Sequence, residues 1–150
     1  MFELANVARP GVSEYISGSG ALSALDNRLE GFKTPLIVTG EKSYAAFTKF
    51  YKGNREFRVA KYDGSASFED MQRIADEYGE GVDVVLGVGG GRVIDTAKGV
   101  AQNLNVEYMT VPTVIATCAP YAPVAAVYHP DHTFREVAYF KRTAYACIAD

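Results

Sequence analysis

The sequence predicts an α/β protein built on a doubly wound parallel sheet. Three observations carry this prediction: strand and helix patterns alternate over the first 111 residues, one central strand is apolar without interruption, and that strand runs straight into glycines and a helix. Alternating strands and helices form parallel sheets through right-handed crossovers. Helices cover both faces of such a sheet, so its strands are continuously apolar.

Strand-like segments are short and bounded by Gly, Pro, Asn, Asp or Ser. Five are predicted before residue 112, at 14–17, 35–39, 57–62, 84–88 and 106–111. Helical spacing of apolar residues predicts helices at 21–29, 43–51, 68–78 and from the glycines to Leu104. Ser67 is a candidate N-cap with Asp70 at the capping-box position, and Gly79 is a candidate C-cap.

The pattern changes after Pro112. Residues 113–123 form a loop rich in proline and alanine, which we expect to cross the carboxyl ends of the strands, where open α/β sheets bind ligands. Segments 124–128 and 134–140 read as a β-hairpin with a polar tip, and 145–149 as a last strand. No internal repeat or linker is evident, so we predict one dinucleotide-binding domain over residues 1–150.

The central strand leads into Gly89, Gly90 and Gly91, followed by a helix with Asp95 in its first turns. Free N–H groups and the positive end of the helix dipole at such a turn suit a phosphate. The spacing begins like a dinucleotide fingerprint, but Arg92 occupies the position of the third glycine. The alternative is a strand-to-helix turn whose glycines serve only tight packing.

Composition excludes several classes of function. A net charge of −3 without a Lys/Arg cluster gives no reason to expect a nucleic-acid partner. No apolar run approaches the 18 residues that would indicate a membrane span, and the first residues lack a signal-peptide pattern. Two cysteines cannot build a disulfide framework and fit a reducing compartment. We therefore expect a cytoplasmic protein.

Three blocks of sequence together resemble a known family. The glycine-rich block at 87–98 resembles the signature of metal-dependent alcohol dehydrogenases of the glycerol dehydrogenase type, in the iron/zinc-containing alcohol dehydrogenase family. The block at 111–117, followed by Ala119-Pro120 and by Val127-Tyr128, resembles that family's second nucleotide-contacting loop and hairpin.

The resemblance implies an NAD-dependent, metal-dependent alcohol or polyol dehydrogenase, of which this chain is the N-terminal, cofactor-binding half. A helical second domain, absent from this chain, would hold a divalent Zn or Fe ion through one aspartate and two histidines. We therefore expect no metal ligands here, and expect the isolated 150-residue chain to be inactive. The full-length protein would act on a small-molecule alcohol or polyol and form a homo-oligomer.

Carried over residue by residue, the resemblance implies a set of cofactor contacts: Glu41, Gly89, Gly90, Gly91, Arg92, Asp95, Thr113, Thr117, Val124 and Tyr128. The glycines, Arg92 and Asp95 would surround the diphosphate and the nicotinamide ribose. Thr113 and Thr117 would line the adenine side and the cleft, and Val124 and Tyr128 would flank the nicotinamide ring.

The sequence pattern itself also supports a ribose-binding role for Glu41, because this residue follows the end of a strand, as a ribose-binding acid should. A carboxylate there favours NAD over NADP, while the alternative is an exposed loop acid. Asp95 could instead form a helix-surface ion pair with Lys98, three residues on. His129 and His132 flank a hairpin tip and are interpreted as turn residues, not as metal ligands.

Cys118 departs from the family pattern, because glycerol dehydrogenases have a substrate-contacting aspartate there. A thiol cannot accept two hydroxyl hydrogen bonds with a charged oxygen, so a different or less polar alcohol is expected. Cys118 could also be simply a small buried residue. Two other functions stay open: a dehydroquinate-synthase-like lyase with the same architecture and cofactor, and a stand-alone nucleotide-binding module without catalysis.

Overall fold

The computed structural model describes residues 11–150. The residues on which the absence of a signal peptide was judged lie outside this range. Eight strands are described, β1 to β8, with these bounds: Tyr15–Ser17, Pro35–Thr39, Arg58–Lys61, Val84–Gly89, Glu107–Pro112, Val124–Tyr128, Phe134–Tyr139 and Ala146–Ala149. The α-helices α1 to α4 span Leu25–Arg28, Glu41–Phe50, Phe68–Tyr78 and Gly91–Leu104, and a 3-10 helix spans Ala21–Ala24.

Six strands form one sheet in the order β1-β8-β5-β4-β2-β3, and every neighbouring pair is parallel. β4 lies inside the sheet, with Leu86 opposite Ile37 of β2 and Met109 of β5. β6 and β7 form a separate antiparallel ribbon. The predicted fold class, including the hairpin near the C-terminus, is confirmed.

Helices cover both faces of the sheet. Leu25 of α1 and Phe47 of α2 belong to one buried apolar cluster, with Leu86 and Val88 of β4. The opposite cluster, with Val85 of β4, contains these residues of α3 and α4: Met71, Ile74, Ala97, Val100 and Ala101. Burial on both faces explains why β2 and β4 carry no polar alternation.

The helices that follow β2 and β4 lie on opposite faces of the sheet, although the two strands are neighbours. The loops at their carboxyl ends therefore diverge and leave a crevice. Such a topological switch point is where open α/β sheets bind ligands. The predicted glycine turn lies at this crevice. None of the helices described between residues 11 and 150 is both long and apolar enough to cross a membrane.

Two helix predictions were wrong in detail. The helix predicted at 21–29 is a 3-10 turn followed by one turn of α-helix. Asp150 explains the tight turn, because its two carboxylate oxygens accept the N–H groups of Gly20 (3.0 Å) and Leu22 (3.1 Å). α2 begins at Glu41 and not at Ser43, since Gly40 is its N-cap and the Ser43 hydroxyl accepts the Gly40 N–H.

The start of α3 was predicted half correctly. The Ser67 hydroxyl accepts the Asp70 N–H at 3.1 Å, as an N-cap does. The Asp70 carboxylate does not return the bond to Ser67. It accepts the Asp63 N–H and pairs with Arg73, which fixes the turn after β3 to the helix.

Candidate cofactor site

The first turn of α4 is open. Gly90 is its N-cap, and no side chain caps the turn. The first backbone hydrogen bond within the helix runs from the Ile94 N–H to the Gly90 carbonyl at 3.0 Å. The preceding N–H groups, on Gly91, Arg92 and Val93, have no helical acceptor and carry the positive end of the dipole.

The glycines at this turn serve two different purposes. A Cβ added to Gly87 would lie 2.8 Å from the Ala97 Cβ and 3.3 Å from the Ile94 Cα, so Gly87 allows α4 to pack closely on β4. A Cβ added to Gly90 would meet nothing within 4 Å. Tight packing therefore explains the glycine at position 87. It does not explain the glycine at position 90, where the open space beside the backbone leaves room for a ligand.

One cleft lies on the β2 side of the turn and is called the ribose cleft here. Its volume is about 360 Å³, and it is lined by residues of the segments that follow β2, β3, β4 and β5: Gly40, Glu41, Lys42, Ser43, Tyr62, Gly90, Val93, Thr113 and Val114. Two predicted cofactor residues, Glu41 and Thr113, are thus brought together beside Gly90. The Thr113 N–H donates to the Gly89 carbonyl at 3.1 Å, which holds this wall in place.

A second cleft, here the hairpin cleft, lies on the other side of the same turn and also has a volume of about 360 Å³. The first turns of α4, the loop after β5 and the ribbon line it, through these residues: Gly91, Arg92, Asp95, Thr117, Cys118, Ala119, Ala122, Val124, Ala125, Ala126, Tyr128 and Val137. The predicted residues Thr117, Val124 and Tyr128 therefore surround one space, together with the exposed thiol of Cys118.

Glu41 lies in the first turn of α2 and not in a loop. Its side chain is 86% exposed, and its carboxylate pairs with the Lys61 ammonium at 3.0 Å. The Lys61 ammonium also lies 4.7 Å from the centre of the Tyr44 ring. Lys61 had no sequence signal, because it becomes a neighbour of Glu41 only through the pairing of β2 with β3.

The turn after β2 is fixed to β4 by a buried threonine that sequence reasoning missed. The Thr39 hydroxyl donates to the Val88 carbonyl at 2.8 Å and lies 3.0 Å from the Ser43 hydroxyl. Ser43 in turn accepts the Gly40 N–H at 3.0 Å. This chain of bonds sets the spacing between the turns after β2 and β4, both of which line the ribose cleft.

Arg92 lies across the hairpin cleft. Its guanidinium carbon is 4.1 Å from the centre of the Tyr128 ring, which is a cation–π contact. One guanidinium nitrogen lies 3.5 Å from the Gly64 carbonyl oxygen. Arg92 therefore supplies a cation next to the open turn, while its position is set by the ribbon.

Asp95 and Lys98 form a buried ion pair, not one on the helix surface. The Lys98 side chain is completely buried, that of Asp95 is 11% exposed, and their charged atoms lie 3.2 Å apart. Burial raises the pKa of the Asp95 carboxyl and lowers the pKa of the Lys98 ammonium from their ordinary values. The carboxylate still borders the hairpin cleft.

The loop after β5 is held at two points. The Thr110 hydroxyl donates to the Pro120 carbonyl at 2.8 Å, and the Thr117 hydroxyl accepts the Ala119 N–H at 3.2 Å. Thr117 also lies close to Gly91, where an added Cβ would be 3.3 Å from the Thr117 hydroxyl oxygen. As predicted, the loop passes over the carboxyl ends of the strands.

A family model described as "Iron-containing alcohol dehydrogenase" matches residues 12–150. The chain belongs to this family. The resemblance found in the glycine block and the second loop is thereby confirmed, and the match favours the dehydrogenase interpretation over the lyase.

Comparisons with individual proteins show a similar likeness. A glycerol dehydrogenase of Thermotoga maritima is 30% identical over 146 residues, which are 91% of this chain and 39% of the relative. Hydroxycarboxylate dehydrogenase A of Escherichia coli is 43% identical over 68 residues, 45% of this chain and 19% of the relative. The structure of a probable glycerol dehydrogenase from Sinorhizobium meliloti superimposes with a TM-score of 0.83 at 26% identity, covering 95% of this chain and 41% of that one. The chain thus spans about two fifths of the length of such relatives.

The family description implies a metal site, but residues 11–150 do not form one. Within this range no three His, Cys, Asp or Glu side chains are grouped so that they could hold an ion. His129 and His132 are exposed at the hairpin tip. Asp150, the last residue, binds main-chain N–H groups of the 3-10 turn. The donors described between residues 11 and 150 do not fit a metal. A metal site in a further domain stays a prediction.

Proposed function

We propose that this chain binds NAD across the open turn of α4 as the cofactor-binding half of an alcohol or polyol dehydrogenase. The adenosine half would occupy the ribose cleft, and the nicotinamide half the hairpin cleft. The diphosphate would lie between them against the N–H groups after Gly90. The observation that carries the proposal is this uncapped helix N-terminus with a cleft on either side.

The assigned side chains suit these positions chemically. Arg92 offers a cation beside the diphosphate, and the Glu41 carboxylate is an acceptor for the adenosine ribose hydroxyls. Val124 and Tyr128 provide an apolar and an aromatic surface for the nicotinamide ring. Bound NAD would accept a hydride from the alcohol carbon. The residues described here orient the ring and shield it from water on the ribbon side, and no general base is assigned among them.

The substrate is proposed to be an alcohol that does not need a carboxylate at position 118. Cys118 is exposed in the hairpin cleft, and Arg92 is the cation that lines it. A small hydroxycarboxylate is the second candidate, because the Asp95 carboxylate that borders this cleft is paired with Lys98 and so offers little repulsion to an anionic group. The 43% identical relative named for hydroxycarboxylates supports this candidate. We also propose a homo-oligomer for the full-length protein and a cytoplasmic location.

Thermal unfolding with and without NAD tests the proposed cofactor. At an NAD concentration one hundred times its Kd, binding to the native state adds about 2.7 kcal/mol to the free energy of unfolding. For a domain of this size we expect a rise in Tm of roughly 5–10 °C. An unchanged Tm in millimolar NAD, with a folded sample, would refute NAD binding by this chain.

We expect Glu41→Gln to narrow the preference for NAD over NADP. The variant removes a carboxylate that repels a ribose phosphate, an interaction worth about 1 kcal/mol between charges 4 Å apart in water. It also frees Lys61, so the Kd for NADP should fall by about tenfold, while the Kd for NAD rises. Calorimetric titration with both cofactors measures this change.

Glu69→Gln is the matched control for Glu41→Gln. Glu69 also lies in the first turn of a helix and pairs with a basic residue, Arg135, at 3.3 Å, but it lines neither cleft. It should leave both dissociation constants unchanged. Equal selectivity in wild type and Glu41→Gln would show that Glu41 does not contact the ribose.

A further inference from the structure

β6 forms one wall of the hairpin cleft and has two edges. One edge pairs with β7, while the other faces α4 and the turn before α3. Along this second edge, main-chain groups of Val124, Ala126 and Tyr128 point away from β7. A free edge of this kind normally binds water or another strand.

The Asp95–Lys98 pair occupies this edge. The Lys98 ammonium donates to the Val124 carbonyl at 2.7 Å, and the second Asp95 oxygen accepts the Ala126 N–H at 3.1 Å. The Tyr128 N–H completes the row by donating to the Ala66 carbonyl at 3.1 Å. Two charged side chains of α4 thus take the place of a neighbouring strand.

Burying two charges is expensive, and a well-packed apolar pair would hold a helix against a sheet at least as well. What an apolar pair cannot do is fix a strand in register through its main chain. Each charged group of this pair binds the other and one main-chain group of β6. The pair therefore fixes both the position of β6 along α4 and its distance from α4.

The same residues of β6 also face the cleft. Val124, Ala126 and Tyr128 line it together with Ala125, while Val127 is completely buried in the core. Fixing the edge of β6 therefore fixes the surface that would meet the nicotinamide ring.

We propose that Asp95 and Lys98 are positioning residues that hold β6 as the nicotinamide-side wall, and that Asp95 acts through the ribbon and not as a cofactor ligand. This inference rests on the proposed NAD site. It predicts that both residues affect the binding of the nicotinamide half of the cofactor only. The adenosine half, in the ribose cleft, should bind independently of them.

The double variant Asp95→Asn/Lys98→Met tests the inference, because it removes both charges together and leaves none buried without a partner. Binding of NADH and of ADP-ribose, which lacks the nicotinamide, is measured by calorimetric titration. We expect the Kd for NADH to rise by about tenfold, as the loss of one good hydrogen-bonded contact produces. The Kd for ADP-ribose should stay within about twofold, a difference below 0.5 kcal/mol. Asp95→Asn/Lys98→Gln, which also removes both charges but keeps a hydrogen-bonding amide at each position, should show a smaller change of the same kind and serves if the first double variant does not fold.

Asp83→Ala is the control for general destabilisation. Asp83 lies just before β4 and lines neither cleft, and its carboxylate accepts the N–H groups of Lys33 and Thr34. Its loss should therefore lower stability and leave the ratio of the NADH and ADP-ribose affinities unchanged. An unchanged ratio in the Asp95/Lys98 variants, or an equal loss of both ligands, would overturn the positioning role. Failure of the wild-type chain to bind either ligand would overturn the proposed function and this inference with it.

Discussion

Gly90→Asp should strongly weaken NAD binding and leave the chain folded at least as stably as the wild type. The backbone at Gly90 is extended, so any residue can adopt it, and a Cβ there meets nothing within 4 Å. Aspartate is a good N-cap and should raise the free energy of unfolding by a few tenths of a kcal/mol over glycine. Its carboxylate would occupy the N–H groups proposed for the diphosphate and repel it, which costs several kcal/mol of binding energy. We expect the Kd for NAD to rise by at least about 100-fold, which is 2.7 kcal/mol.

Gly90→Asn distinguishes the effect of the negative charge from the effect of the side-chain volume. Asparagine caps a helix as well as aspartate does and has nearly the same shape, but it carries no charge. Its effect on the Kd for NAD should lie between those of wild type and Gly90→Asp. Urea denaturation checks the stability of all three proteins. Full NAD affinity in Gly90→Asp would mean that the diphosphate lies elsewhere.

Gly87→Ala should destabilise the fold by about 1–3 kcal/mol, because overpacking a well-packed core forces the backbone to shift. The new methyl group would lie 2.8 Å from the Ala97 Cβ and 3.3 Å from the Ile94 Cα, and neither atom can rotate away. α4 must therefore move off β4. Since this helix carries the open turn, we expect NAD affinity to fall together with stability.

Ala97→Gly provides the matched test of that explanation. By itself it weakens the helix by about 1 kcal/mol, as glycine does in a helix interior. Combined with Gly87→Ala it removes the closest contact, so the double variant should be more stable than the sum of the two single changes predicts. Urea denaturation of the four proteins measures the coupling, and strictly additive effects would contradict a clash between these two positions.

The pattern of the sequence was sufficient for the elements that lie in the core. β2 and β4 are continuously apolar because both faces are covered, so their positions could be predicted closely. The glycine turn and the hairpin were also predictable, because each depends on local conformation. Prediction was poorer at the 3-10 turn, whose geometry depends on Asp150, about 130 residues away.

The candidate site was predictable in its residues but not in how they interact. Glu41, Thr113, Tyr128 and the glycines follow strand ends or a known signature, and they line the two clefts. The partner of Glu41 could not be predicted, because Lys61 reaches it only across two paired strands. Asp95 was expected either at the cofactor or on the helix surface, and its bonds to the ribbon were missed.

The sequence by itself determined the parallel sheet and the open glycine turn, because these depend on local spacing and on burial of apolar segments. It indicated the family through the resemblance of its glycine-rich block and second loop to a known signature. Only the tertiary structure decided that Gly87 serves packing while Gly90 leaves space, and that Asp95 and Lys98 hold β6. Those roles depend on which atoms meet when α4 packs on β4 and the ribbon returns to it. Spacing along the chain carries no record of such distances between segments far apart in sequence.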